Sequence, residues 1–193
     1  MELHPDLAFL NGKRRPLVET AAYIGYAAHL CQVRKDDQAP YFIHPCMAAL
    51  TLKGYGFSDE VVAAAFVHDV LEDTHITKEA LSHFLGDTVV EMVSALSENK
   101  ALPWRERKQK YIDTIRRAPE GVRAISVADK IHNLESVFAA YELQGPAVWT
   151  VFNKGREDKC WFERSLLEAL APDWDHPLIK EYARLVARLD ELQ

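Results

Sequence analysis

Apolar positions recur along this chain at intervals of three and four residues, and no convincing apolar–polar alternation of a strand stands out. The pattern predicts a succession of helices. The first runs from about Leu17 to Val33 and gives way to a polar loop, RKDDQAP. A short helix follows His44-Pro45, with the proline in the first turn, where its missing N–H costs nothing. Ser58 is placed to cap a helix whose first turn carries Asp59 and Glu60, carboxylates suited to the positive end of the helix dipole. Thr77 caps the next helix and Gly86 ends it. Further helices are expected near Asp87–Ser97, Trp104–Arg117, Glu120–Leu143, Arg156–Leu170 and Pro177–Leu192. The expected fold is an all-α bundle, one domain over residues 1–193, with C-terminal helices from about 146 to 192 packed on the rest.

Composition changes this picture little. With 193 residues, 48% hydrophobic and 27% charged, the chain is long and apolar enough for a real core. The longest apolar run, Val61–Val67, is far short of the roughly 20 residues that span a membrane. The start, MELHPDLAFLNGKRRP, lacks the basic and apolar regions of a secretory signal, so a cytoplasmic location is expected. Cys31, Cys46 and Cys160 are widely spaced without a CxxC, which fits free thiols in a reducing compartment. A net charge of −6 argues against nucleic acid as the main partner.

The chemistry gathers where that apolar run ends, in FVHDVLEDT. His68, Asp69, Glu72 and Asp73 close a helix that is apolar all round and therefore buried. Burying carboxylates without partners costs several kcal/mol each. In a continuous helix His68 and Asp69 would point into one cavity, with Glu72 and Asp73 one turn further, at its rim. PYFIHP places His44 at a loop-to-helix junction. SVADKIHNL places Asp129 in another apolar stretch, with Asn133 one turn beyond. Two imidazoles and two carboxylates resolve their burial around a divalent cation, and mixed nitrogen and oxygen donors suit manganese, iron or another first-row ion.

The ordered set H…HD…D resembles the signature of the HD-domain metal-dependent phosphohydrolases. The longer strings RKDDQAPYFIHP, HDVLEDT and ADKIHNL resemble the hydrolase domain of RelA/SpoT-type alarmone enzymes, above all the stand-alone small alarmone hydrolases. The likeness runs from about Thr20 to Leu134. It implies an HD-domain helical bundle in which His44, His68, Asp69 and Asp129 bind one divalent metal, usually Mn²⁺, between central helices. It implies that Glu72 and Asp73 are the catalytic pair. Arg34, Lys35 and Asn133 would hold the nucleoside of a nucleotide alarmone. The implied reaction removes the 3′-pyrophosphate of (p)ppGpp; adenosine alarmones and NADPH are the alternative substrates. A generic HD nucleotidase or phosphodiesterase and a non-catalytic alarmone-binding protein are the competing readings.

Outside that set the residues are less distinctive. Lys100 to Arg117 holds seven basic and two acidic residues, a basic helix in an acidic chain. Most of it reads as solvated surface, while Arg107 and Lys108 are candidates for phosphate. Trp104 departs from the resembling animal proteins, which have a lysine after LP, so the resemblance does not carry a direct phosphate contact to this position. Relatives close the pocket with a later aromatic residue, for which Trp149 and Phe152 are candidates. Tyr41 is expected to pack, His132 to stand behind the metal ligands or pack, and His4, His29, His75, His83 and His176 to be structural or exposed.

Overall fold

The computed structural model describes residues 5–34, 38–151 and 154–193. Lys35, His4 and Phe152, each singled out in the sequence, lie outside the described residues. Ten α-helices are described: α1 (Leu17–Ala28), α2 (Ile43–Gly54), α3 (Asp59–Phe66), α4 (Val70–Asp73), α5 (Lys78–Leu85), α6 (Asp87–Leu96), α7 (Trp104–Arg117), α8 (Glu120–Gln144), α9 (Gly155–Leu170) and α10 (Pro177–Glu191). Among the described residues the only β pairing is an isolated bridge between Val33 and Pro40. None of the described helices is long and apolar enough to cross a membrane.

The caps act as expected. Ser58 accepts from the Val61 N–H and Thr77 from the Ala80 N–H, each worth about 1 kcal/mol. Gly86 ends α5 at φ 82°, a left-handed conformation open to glycine. The long helix α8 is the spine: Ile125, Val127, Ala128 and Leu134 are buried on it, and α2, α3, α6 and α10 pack against it. The C-terminal helices form a second layer. Glu163 of α9 is fully buried, but its carboxylate accepts from the Tyr182 hydroxyl of α10 and from Lys159, both at 2.5 Å. Paired this way, the carboxylate is tolerated in the interior.

Two expectations about the backbone are corrected. The first helix stops at Ala28, not Val33, because residues 32–34 pair with residues 39–41 instead. Arg34 N–H donates to the Ala39 carbonyl and Tyr41 N–H to Gln32, which brings Arg34 and Tyr41 back over the bundle. The second correction lies inside FVHDVLEDT, which is not one helix. α3 ends at Phe66, a turn occupies 67–69, and α4 is a single turn. The neighbouring helix makes room for this break. A Cβ on Gly25 of α1 would lie 2.3 Å from the Phe66 carbonyl oxygen, closer than any side chain can approach backbone.

Candidate active site

The break between α3 and α4 aims the central residues. Leaving the helix at Val67 frees carbonyls of the last turn, and His68 Nδ1–H donates to one of them, Ala65 O, at 2.8 Å. That bond fixes the tautomer and leaves His68 Nε2 as a bare acceptor pointing inward. It is buried and has no hydrogen-bond partner among the described residues. His44, in the first turn of α2, and Asp129, midway along α8, meet it there: one donor atom from each of the three lies within 4.8 Å of the others. All three residues are at most 7% exposed.

Asp69 completes the set from the turn. Its Oδ2 lies 3.2 Å from His68 Nε2 and 3.8 Å from His44 Nε2. Asp129 Oδ1 lies 3.0 Å from His44 Nε2. Burial opposes ionisation of both carboxylates, yet the neighbouring charges outweigh it. His68 and His44 hold Asp69 below the usual carboxylate range, while Lys130 and His44 hold Asp129 well below it. Two imidazole nitrogens and two carboxylates that only neighbouring positive charge keeps ionised converge on one buried point, where a divalent cation fits in place of the ring protons.

A second layer of contacts orients these groups. His44 Nδ1 lies 2.9 Å from His132 Nδ1, so His44 can donate there and present Nε2 to the site; His132 stands behind it, as expected. Tyr41 does more than pack, because its hydroxyl donates to Asp69 Oδ2 at 2.8 Å. Burial and that carboxylate push its phenol far above its usual range. Asn133 donates to Asp129 Oδ1 at 2.5 Å and accepts from Arg34 at 3.4 Å. The structure therefore brings these two expected nucleoside-binding residues together, across 99 positions of sequence.

Glu72 and Asp73 sit on α4 at the mouth of the same cleft. Glu72 accepts from the Glu98 N–H at 3.1 Å, and Asp73 pairs with Lys100. Burial raises the Glu72 carboxyl above its usual value. The cleft holds about 870 Å³. Residues of α7 and α9 also line it: Trp104, Lys108, Tyr111, Lys159 and Phe162.

Several of these were missed in the sequence. Lys130, 2.5 Å from Asp129 Oδ2, was visible only as part of a motif string. Phe162, not Trp149, is the described aromatic residue that α9 contributes to the cleft. Trp149 instead donates to the Gln193 carbonyl at 2.9 Å and packs near Tyr141, so it anchors the C-terminus.

The HD domain family matches residues 22–156. A Danio rerio protein named guanosine-3′,5′-bis(diphosphate) 3′-pyrophosphohydrolase MESH1 is 34% identical over 126 residues, covering 63% of this chain and 68% of that protein. The Listeria monocytogenes EGD-e protein lmo0812 has a similar structure, with a TM-score of 0.71 and 35% identity over 79% of this chain and 96% of its own. A metazoan ortholog of SpoT that hydrolyzes ppGpp shares the fold over 91% of this chain and 97% of its own, with a TM-score of 0.78 at 22% identity. The chain belongs to the HD-domain family and, within it, to the group of MESH1-type hydrolases.

Proposed function

We propose that the protein is a metal-dependent pyrophosphohydrolase that removes the 3′-pyrophosphate of (p)ppGpp, giving GDP or GTP and pyrophosphate. The observation that carries this reading is the buried convergence of His44, His68 and Asp129 beside the Glu72–Asp73 pair, in a chain whose relative is named for that reaction. His44, His68, Asp69 and Asp129 would hold one divalent ion, with Mn²⁺ our assignment. Such an ion supplies polarisation of a phosphoryl oxygen and a lowered pKa for water.

The chain's own residues do the rest. Arg34 and Asn133 hold the nucleoside, the guanidinium by stacking and hydrogen bonding and the amide by donating and accepting; Lys35 is assigned to the same task by resemblance. Tyr41 keeps Asp69 turned inward. The Glu72–Asp73 pair orients a water and accepts its proton as the water oxygen bonds to the proximal 3′ phosphorus. The bond from that phosphorus to the 3′ oxygen breaks, and the oxygen leaves as the nucleotide's 3′ hydroxyl after taking up a proton. One water is consumed, and one nucleotide and one pyrophosphate result. A cytoplasmic setting is supported by the three free thiols.

The test is a hydrolysis panel of ppGpp, pppGpp, pppApp and NADPH with Mn²⁺ present, products separated by chromatography. Pyrophosphate released from a guanosine 3′ position is the expected result. Orthophosphate from NADPH alone would overturn the substrate assignment.

A further inference from the structure

α4 carries Glu72 and Asp73 on a single turn of four residues. Such a turn cannot hold itself, because nucleating a helix fixes several dihedrals for one hydrogen bond. Val70 anchors it in the core, and its last carbonyls need donors from elsewhere. Lys100 Nζ reaches the Glu72 carbonyl at 3.2 Å, but from an exposed side chain. Gln32 Nε2 reaches the Asp73 carbonyl at 3.1 Å, across 41 positions of sequence. That contact ties α4 to the loop after α1.

Behind Gln32 stands His29, which the sequence marks only as structural or exposed and which is 2% exposed. The Asp73 carbonyl can only accept, so the Gln32 amide turns its NH2 that way and its oxygen toward His29. That oxygen lies 2.8 Å from His29 Nδ1. It too can only accept, so the ring proton sits on Nδ1. His29 Nε2 is buried with no hydrogen-bond partner among the described residues, which leaves Gln32 as the polar contact of this ring. The Gln32 backbone tightens the arrangement. Its N–H donates to the His29 carbonyl at 3.0 Å, and its carbonyl accepts from the Tyr41 N–H at 2.9 Å.

The imidazole has a second neighbour in the Tyr41 ring, 4.7 Å away between centres and tilted by 34°. Tyr41 carries the hydroxyl that holds Asp69, and the Asp69 carbonyl accepts from the Glu72 and Asp73 N–H groups. One buried imidazole therefore backs both ends of the turn, Asp69 through Tyr41 and Asp73 through Gln32. We propose that His29 and Gln32 are positioning residues, a buried lock that keeps the Glu72–Asp73 pair in register with the metal-binding carboxylate Asp69. The proposal rests on the metal-dependent hydrolase reading and adds the residues that hold its carboxylates in place. A displaced proton acceptor costs rate far more than binding, so kcat carries the effect. Gln32 also lines the cleft, and a contact with substrate, the competing role, would show in KM instead.

The experiment compares Gln32→Met, His29→Leu and His29→Asn with wild type, all loaded with Mn²⁺ to matched content. Hydrogen exchange read by mass spectrometry probes the lock without substrate. In Gln32→Met the amides of residues 70–76 should exchange about tenfold faster, as expected for a lost hydrogen bond that leaves a carbonyl unpaired. Exchange in α8 and α10 should keep its wild-type rate. With ppGpp, kcat should fall about tenfold while KM stays within about twofold. His29→Leu should reproduce both changes. His29→Asn, whose amide N–H can stand in for Nδ1–H, should recover a large part of each. Wild-type exchange at 70–76, or wild-type kcat, in Gln32→Met would overturn the lock. So would a KM that rises as far as kcat falls, or exchange that quickens equally in every helix. If wild type hydrolyses no ppGpp while exchange at 70–76 still depends on Gln32 and recovers in His29→Asn, the lock stands and the alarmone assignment falls.

Discussion

The two walls of the cleft handle buried charge in opposite ways. The wall built from α2, the α3–α4 break and α8 gathers carboxylates and imidazoles, and one of its acceptors, His68 Nε2, is left without a hydrogen-bond donor. The other wall, built from α7 and α9 with Lys130 reaching in from α8, gathers ammonium groups over aromatic rings. One wall therefore calls for a cation and the other for an anion, about what a metal-dependent phosphohydrolase must seat side by side. Glu98 joins them: its N–H holds Glu72 on the acidic side, and its carboxylate holds Arg107 and Lys108 on the basic side. Charge of each sign is thus arranged before substrate arrives, which lowers the cost of reorganising it during the reaction.

The comparison breaks most severely at the acidic wall. His68→Ala and Asp69→Ala should each abolish stoichiometric Mn²⁺ binding, measured by elemental analysis of the purified protein. Activity should fall by about three orders of magnitude or more, because the ion is asked for several kcal/mol. A full equivalent of metal retained in both variants would rule out the assignment of those residues. A smaller and different effect is expected one turn on. Glu72→Gln combined with Asp73→Asn should cut kcat about 10²- to 10⁴-fold while leaving metal content intact. Undiminished turnover there would show that neither carboxylate handles the proton.

The two walls also differed in how far they could be read from the sequence. The acidic wall is carried by short strings whose residues have few other reasons to be buried. His44, His68, Asp69 and Asp129 stand out in the sequence, and the structure brings them together. What the pattern could not give was the break at 67–69. Val61 to Val67 is apolar without interruption, and helix propensity has no term for the tight approach of Gly25 to the Phe66 carbonyl. The basic wall was legible only in pieces. Lys108 belongs to an ordinary-looking charged helix, and its neighbours Lys159 and Phe162 come from α9, which lies almost wholly beyond the matched family region. Their meeting depends on how α9 packs on α7, a tertiary contact that periodicity does not encode. Phe162 does not stand out for the same reason, since Trp149, Phe152 and Phe162 look alike as aromatic residues of the late part of the chain.

The smallest predicted effect concerns the joint between the walls. Lys100 pairs with Asp73 and lies 3.5 Å from Glu72, yet its side chain is 52% exposed, so the pair is screened and each contact is worth at most about 1 kcal/mol. Burial raises the Glu72 carboxyl, and the Lys100 charge works against that rise. Replacing Lys100 by Gln removes the opposing charge, so Glu72 should titrate at a still higher pH. A carboxylate acting as base must be ionised, and its contribution is lost as pH falls through its pKa. The acid limb of kcat should therefore move to higher pH in Lys100→Gln, with about a two- to fivefold loss on that limb and little change at alkaline pH. Added salt should bring wild type toward the variant, because the interaction is exposed to screening. If Lys100 instead belonged to the phosphate-binding wall, KM would rise at every pH and the acid limb would stay in place. The pH profile thus decides to which side of the cleft this lysine answers.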